Sequence, residues 1–171
     1  MLKYENAADL TDGYVGRVWE ELPQKIRPTL LLKSARLSAL LGGEVTIASE
    51  TLQYTGSFKF RAAYNLLASI DQKHIIAASS GNFGQAIAYA SALLGKTCTI
   101  VMPHTSAQVK IAAVQSYGGR VDLIDVSEIS RDERVEQLLR EDPTAFRAQA
   151  YDDYRVVAGN STLGGEILRS G

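Results

Sequence analysis

From His74 to Ala150 the chain alternates short apolar runs with helical runs, and glycine or proline punctuates nearly every change. His74-Ile75-Ile76-Ala77-Ala78 reads as a strand, and Gln85 to Leu94 as an alanine-rich helix stopped at Gly95. Cys98-Thr99-Ile100-Val101-Met102 is a second strand, closed by Pro103. Ser106 is placed to cap a helix from Ala107 to about Tyr117, which Gly118-Gly119 ends. Val121 to Val126 is a third strand, and Ile129 to Arg140 a charged amphipathic helix ending before Pro143. Phe146 to Ala150 supplies a fourth strand. Strand and helix alternating at this spacing predict an α/β fold, a parallel sheet with helices on both faces and right-handed crossovers.

Upstream the pattern is looser. Residues 4–22 read as helical in parts, with Ala7, Leu10, Val15, Val18 and Leu22 apolar and Gly13 and Gly16 as interruptions. Pro23 and Pro28 bracket an irregular segment, and Thr29 to Leu32 reads as extended. Ser34 can cap a helix through Leu41 that Gly42-Gly43 terminates, and Glu44 to Ala48 alternates as a strand does. After residue 150, Tyr151-Asp152-Asp153-Tyr154 reads as a polar loop, with a helix starting around Ser161 or Thr162. The chain has 171 residues, 46% of them apolar, enough for one ordinary domain or two small ones. Its 18 basic residues against 19 acidic ones give no support to binding nucleic acid or a membrane surface. No apolar run reaches the ~18 residues of a membrane span, and the N-terminus lacks an apolar signal region, so cytoplasm is the expected location. The single cysteine, Cys98, sits in an apolar strand and reads as a buried small residue.

Two stretches carry chemistry. In Thr55-Gly56-Ser57-Phe58-Lys59-Phe60-Arg61, Gly56 permits a tight turn and Ser57 is a candidate cap, so Lys59 falls in the first turn of a helix. The positive end of the helix dipole lies there, and a lysine gains nothing from it. Lys59 is then either a solvated surface lysine or an amine whose apolar neighbours and local dipole favour the neutral, nucleophilic form. The second stretch, Ser79-Ser80-Gly81-Asn82-Phe83-Gly84, follows a strand and opens a helix. Its backbone N–H groups can hold a carboxylate or phosphate, unless it is simply a serine-capped connection. It is neither a dinucleotide fingerprint nor a P-loop. His74 and His104 have no ligand cluster around them, so no metal site is expected, and no Gly-x-Ser-x-Gly elbow occurs. Glu128, Asp132, Glu133 and Glu136 read as a solvated helix face.

Together the two stretches resemble the fold-type-II pyridoxal-phosphate enzymes, whose architecture is that of the tryptophan synthase β subunit. The similarity is to the threonine/serine ammonia-lyase (dehydratase) and serine racemase branch. Arg27-Pro28-Thr29, Glu50-Thr51-Leu52-Gln53, Tyr151-Asp152-Asp153 and Val157 to Thr162 match that branch as well. The resemblance implies pyridoxal 5'-phosphate as cofactor, a small amino acid as substrate and a homodimer for the full-length form. It implies that Lys59 forms the Schiff-base link and shuttles the substrate α-proton. Asn82 would meet the ring hydroxyl oxygen. Ser80, Gly81 and the backbone of Asn82 and Phe83 would grip the substrate carboxylate, with Ser80 opposite the lysine as in the racemases. The implied reaction eliminates the β-hydroxyl of threonine or serine and yields a 2-keto acid and ammonia. Racemisation and β-replacement are the alternatives within the same fold.

The chain also departs from the resembled family. Phe83 stands where a histidine is usual, and Ala48-Ser49-Glu50 where Lys-x-Glu is usual. Family members continue well past the point matched by Gly171, with a glycine-rich phosphate loop and a Ser, Thr or Cys at the pyridine nitrogen. Gly164-Gly165 is too short for that loop. The expectation is therefore an incomplete large domain: residues 1–69 its N-terminal part, 70–150 a small α/β domain, and 151–171 the return into it. Such a chain would be weakly active or inactive alone, or a non-catalytic binding or partner domain with exposed apolar surface.

Overall fold

The computed structural model describes residues 11–170. Its centre is a four-stranded parallel sheet of β3 (His74–Ala78), β4 (Thr97–Pro103), β5 (Arg120–Ile124) and β6 (Phe146–Ala148). The strand order is β5-β4-β3-β6, so the chain moves outward from β3 to β5 and then returns to the other side of β3. Helices α4 (Asn82–Leu93) and α5 (Gln108–Ser116) make the two outward crossings, and α6 (Arg131–Glu141) makes the return. With crossovers of one hand, reversing direction moves the helix to the other face. Burial shows this. Ile75, Ala77, Ile100 and Met102 pack into the larger core with α3 (Lys59–Ala68) and α4. Ile76, Val101 and Ile124 pack with Val135 of α6 on the opposite face. Strand side chains alternate between faces, so an unbroken apolar run serves both layers.

The other elements wrap one side of this unit. They are α1 (Asp12–Glu21), the antiparallel pair β1 (Leu30–Lys33) and β2 (Thr46–Ser49), α2 (Ala35–Leu41) and α7 (Tyr154–Ser170). Ser34 caps α2 by accepting from the Leu37 N–H, and Gly42 ends it in the left-handed region at φ 69°, as its sequence predicts. Helix α7 begins at Tyr154, well before the expected Ser161 or Thr162. It is held there by packing on α3: at Gly159 a Cβ would lie 2.7 Å from the Arg61 carbonyl oxygen. Gly13 and Gly16 do not interrupt α1, which runs through both and is capped by Thr11. Ala7 and Leu10 lie outside the described residues. Ser106 does not cap α5; its hydroxyl is buried without a partner, and α5 starts after Ala107 with no side-chain cap.

Leu30, Leu32, Leu40, Leu41 and Ile47 on the β1–α2–β2 segment, with Ile167 and Leu168 on α7, are exposed. No helix of the described residues is long and apolar enough to cross a membrane.

Candidate active site

The strand order reverses between β3 and β6, and in parallel α/β sheets the crevice at the carboxyl ends of such strands is where ligands collect. Here the connection after β3 and the connection after β6 diverge. The cleft between them, about 430 Å³, is lined by Phe58, Lys59, Ala78 to Phe83, Arg131, Ala150 and Tyr151. The fold thus brings Lys59, Ser80, Gly81, Asn82 and Phe83, separated in sequence, onto one cavity.

Lys59 opens α3, as expected, but Ser57 is not its cap. The helix starts after Phe58 with no side-chain cap, and the Ser57 hydroxyl is buried without a partner. Gly56 turns the chain at φ 68°. Among the described residues no carboxylate pairs with Lys59. Its Nζ lies 3.5 Å from the Ala150 carbonyl oxygen, 4.6 Å from the centre of the Tyr151 ring and 5.0 Å from that of Phe58. Partial burial, with no counter-charge to oppose it, holds the amine below the usual lysine value. Lys59 is thus a partly buried amine without a counter-charge among the described residues, rather than a fully solvated surface lysine.

Helix α4 starts at Asn82, earlier than the predicted Gln85, so the turn and the helix N-terminus are one feature. Gly81 at the N-cap offers no side-chain oxygen. The Ser79 hydroxyl accepts instead from the Gly84 N–H at 2.9 Å, deeper in the turn. The N–H groups of Asn82 and Phe83 thus start the helix uncapped beside the cleft. Phe83 presents only backbone to a ligand, because its ring is 4% exposed and belongs to the core. A Cβ on Gly84 would lie 2.8 Å from the Ser79 carbonyl oxygen and 3.0 Å from Ile100. Gly84→Ala is therefore expected to lower stability by about 1–3 kcal/mol, read from urea unfolding, and to weaken ligand binding at the turn.

Residues to which the sequence assigned no role hold this geometry. Arg61, two positions beyond Lys59, is fully buried. Its Nε and Nη2 donate to the two Glu50 carboxylate oxygens at 2.8 Å each, and its Nη1 donates to Glu166 at 2.8 Å and Thr162 at 3.1 Å. Thr29 completes the cluster: Arg61 Nη2 donates to its hydroxyl, and its own N–H donates to Glu166 at 2.7 Å. Burial alone would raise the Glu166 carboxyl; the Arg61 and Thr29 donors outweigh it and hold it below the usual range. Gln53, also buried, clasps the backbone of Arg27 through its Nε2 and Oε1 at 2.7 and 3.1 Å. The matched Arg27-Pro28-Thr29 and Glu50 to Gln53 stretches are thus joined around α3 rather than lining the cleft. The signal for Arg61 was its place in the matched stretch from Thr55 to Arg61, to which no role was attached, and its position on an otherwise apolar helix face. Tyr151 was matched without a role, and Ala150 and Arg131 were missed, because their approach to Lys59 depends on where β6 and α6 end.

The chain was also compared with known proteins. Residues 22–170 match the family described as pyridoxal-phosphate dependent enzyme. The chain belongs to this family. Among curated members of the pyridoxal-phosphate dependent enzymes it is 41% identical over 148 residues to the L-threonine dehydratase catabolic TdcB of Staphylococcus aureus, covering 84% of this chain and 42% of that protein. It is 36% identical to an L-threo-3-hydroxyaspartate ammonia-lyase of Pseudomonas sp, covering 95% of this chain and 48% of the other. The serine racemase structure from Dictyostelium discoideum superposes with a TM-score of 0.84 at 30% identity, over 92% of this chain and 52% of that one. The chain spans about half the length of the curated relatives it matches.

The residues present fit the family cofactor on its lysine side. An amine without a counter-charge and an uncapped helix start meet around one cleft. Gly164 and Gly165 lie inside α7, and a Cβ at Gly165 would come within 2.9 Å of the Trp19 ring, so Gly165 serves helix packing.

Proposed function

We propose that the protein is a pyridoxal-phosphate-dependent lyase that converts a small hydroxy amino acid, threonine or serine, to a 2-keto acid and ammonia. The observation that carries this reading is the half-buried Lys59 amine, free of any carboxylate among the described residues, in the crevice where the strand order reverses. The cofactor, when bound, supplies an electron sink for the electrons released at the substrate α-carbon. The chain's own residues do the rest. Lys59 Nζ holds the cofactor and takes the α-proton. The uncapped N–H groups at the start of α4, with Ser80 and Gly81, orient the substrate carboxylate, and Asn82 meets the ring oxygen. Ser80 lines the same cleft as Lys59 and is the group that would return a proton in a racemase.

In this reading residues 70–150 form the small domain, consistent with a sheet running from His74 to Ala148, flanked by pieces of the large domain. In the same reading the enzyme is cytoplasmic, and its full-length form acts as a homodimer. A second reading rests on the exposed leucines of β1, α2 and α7: a non-catalytic subunit that associates through them. The test is to supply pyridoxal phosphate to the purified protein and offer L-threonine, L-serine, L-threo-3-hydroxyaspartate and O-acetylserine in parallel. Keto-acid formation from threonine or serine is expected. Only a D-amino acid, on chiral chromatography, would instead assign a racemase. Cofactor binding with no product from any of the four would support the subunit reading.

A further inference from the structure

Tyr151 is a large aromatic residue left 71% exposed, on the connection between β6 and α7. Its ring lies against the Lys59 amine, and Ala150, the residue before it, carries the carbonyl oxygen nearest that amine. Phe58 covers another side. Both ring centres are within the ~6 Å over which an aromatic face attracts a cation. With no carboxylate partner among the described residues, the ammonium form of Lys59 is held by two π faces and one long hydrogen bond. These contacts oppose burial, which favours the neutral amine.

We propose that Tyr151 is a cover on Lys59: its ring holds the amine protonated and shielded at the mouth of the cleft, and must swing aside before Nζ can attack a carbonyl carbon. This rests on Lys59 being the reactive amine of the site. Tyr151 is a positioning residue, since it acts through Lys59. Below the ring the chain is fixed by Asp153, whose carboxylate accepts from Arg155 Nε at 2.9 Å, and above it by the β6 pairing. Tyr151 lies between these two anchors. Tyr151 also lines a second hollow of about 230 Å³, with Arg131, Asp132, Arg147 and Asp152, which shares Arg131, Ala150 and Tyr151 with the cleft. Arg131 is the other charged group on the Lys59 cleft, and it and these neighbours are unchanged in the variants below.

The experiment is reductive methylation of the whole protein with carbon-13 formaldehyde and cyanoborohydride, near neutral pH, with peptide mass spectrometry. Nζ adds to the formaldehyde carbon. The oxygen leaves as water with one proton from nitrogen and one from solvent, and hydride reduces the C=N bond to an N-methyl group. The rate at Lys59 is divided by that at exposed Lys110, an internal clock on α5. Tyr151→Ala is expected to raise this ratio about two- to five-fold, the factor that an exposed cation–π contact corresponds to. Tyr151→Phe, which keeps the ring face, is expected to leave it unchanged. An unchanged or lower ratio in Tyr151→Ala overturns the cover. A parallel arm uses pyridoxal phosphate and cyanoborohydride. Adducts at other lysines but none at Lys59 in any variant would sink the assignment of Lys59, while the formaldehyde ratio would still judge the ring.

Discussion

Arg61→Met is expected to cost the fold about 3–5 kcal/mol, measured as a lower urea midpoint with an unchanged slope. The reason is the asymmetry of buried ion pairs. An intact pair offsets its own desolvation only narrowly, but removing one partner leaves the other's charge uncompensated. Here one guanidinium serves two carboxylates, Glu50 and Glu166, and methionine would leave both facing a site with no cation. The pH dependence gives an independent check. In the wild type the Glu166 carboxyl is held below its usual value, so its contribution is present above the ordinary glutamate range and is lost as pH falls through the lowered value. In Arg61→Met the guanidinium donors are gone and protonation relieves the repulsion between the two carboxylates, so stability should rise as the pH is brought down toward the ordinary glutamate range from above it. Equal pH slopes for the two proteins would show that the cluster is not coupled in this way. Because Arg61 lies on the first turns of the helix that begins at Lys59, the same change is expected to loosen the amine's placement against Ala150.

Lys59→Ala is expected to leave the fold standing and remove the chemistry. The side chain is only partly buried and contributes no ion pair among the described residues, so the urea midpoint should move little. Cofactor absorbance retained after gel filtration should be lost, and turnover should fall by about 10²–10⁴-fold from the missing proton transfer alone. Lys59→Arg keeps the positive charge but not an amine that can be deprotonated, and should be as inactive. A Lys59→Ala protein that retains the cofactor and still forms keto acid at the wild-type rate would defeat the assignment.

Much of this protein is legible in its sequence. The apolar strands from His74 to Ala148, with glycine stops between helices, require a parallel sheet because side chains of such runs must be buried on both faces. The Ser34 cap and the Gly42 stop are read correctly because they are local: their hydrogen bonds reach only a few residues. The misreadings share the opposite cause. Ser57 and Ser106 look like caps, yet tertiary packing buries their hydroxyls away from the helix starts. Gly13 and Gly16 look like breaks, but one glycine costs a helix only about 1 kcal/mol, which packing of α1 on α7 overrides.

The sequence by itself determined the sheet, the turn from Ser79 to Gly84 and the placement of Lys59 at a helix start. Only the tertiary structure decided that β6 lies beside β3. That order opens the crevice, brings Ala150 and Tyr151 over Lys59 and lets the arginine two residues on be buried between two carboxylates. The physical reason is range: propensity and periodicity act over one or two turns, whereas the Lys59–Ala150 and Arg61–Glu166 contacts join residues about a hundred positions apart in the chain.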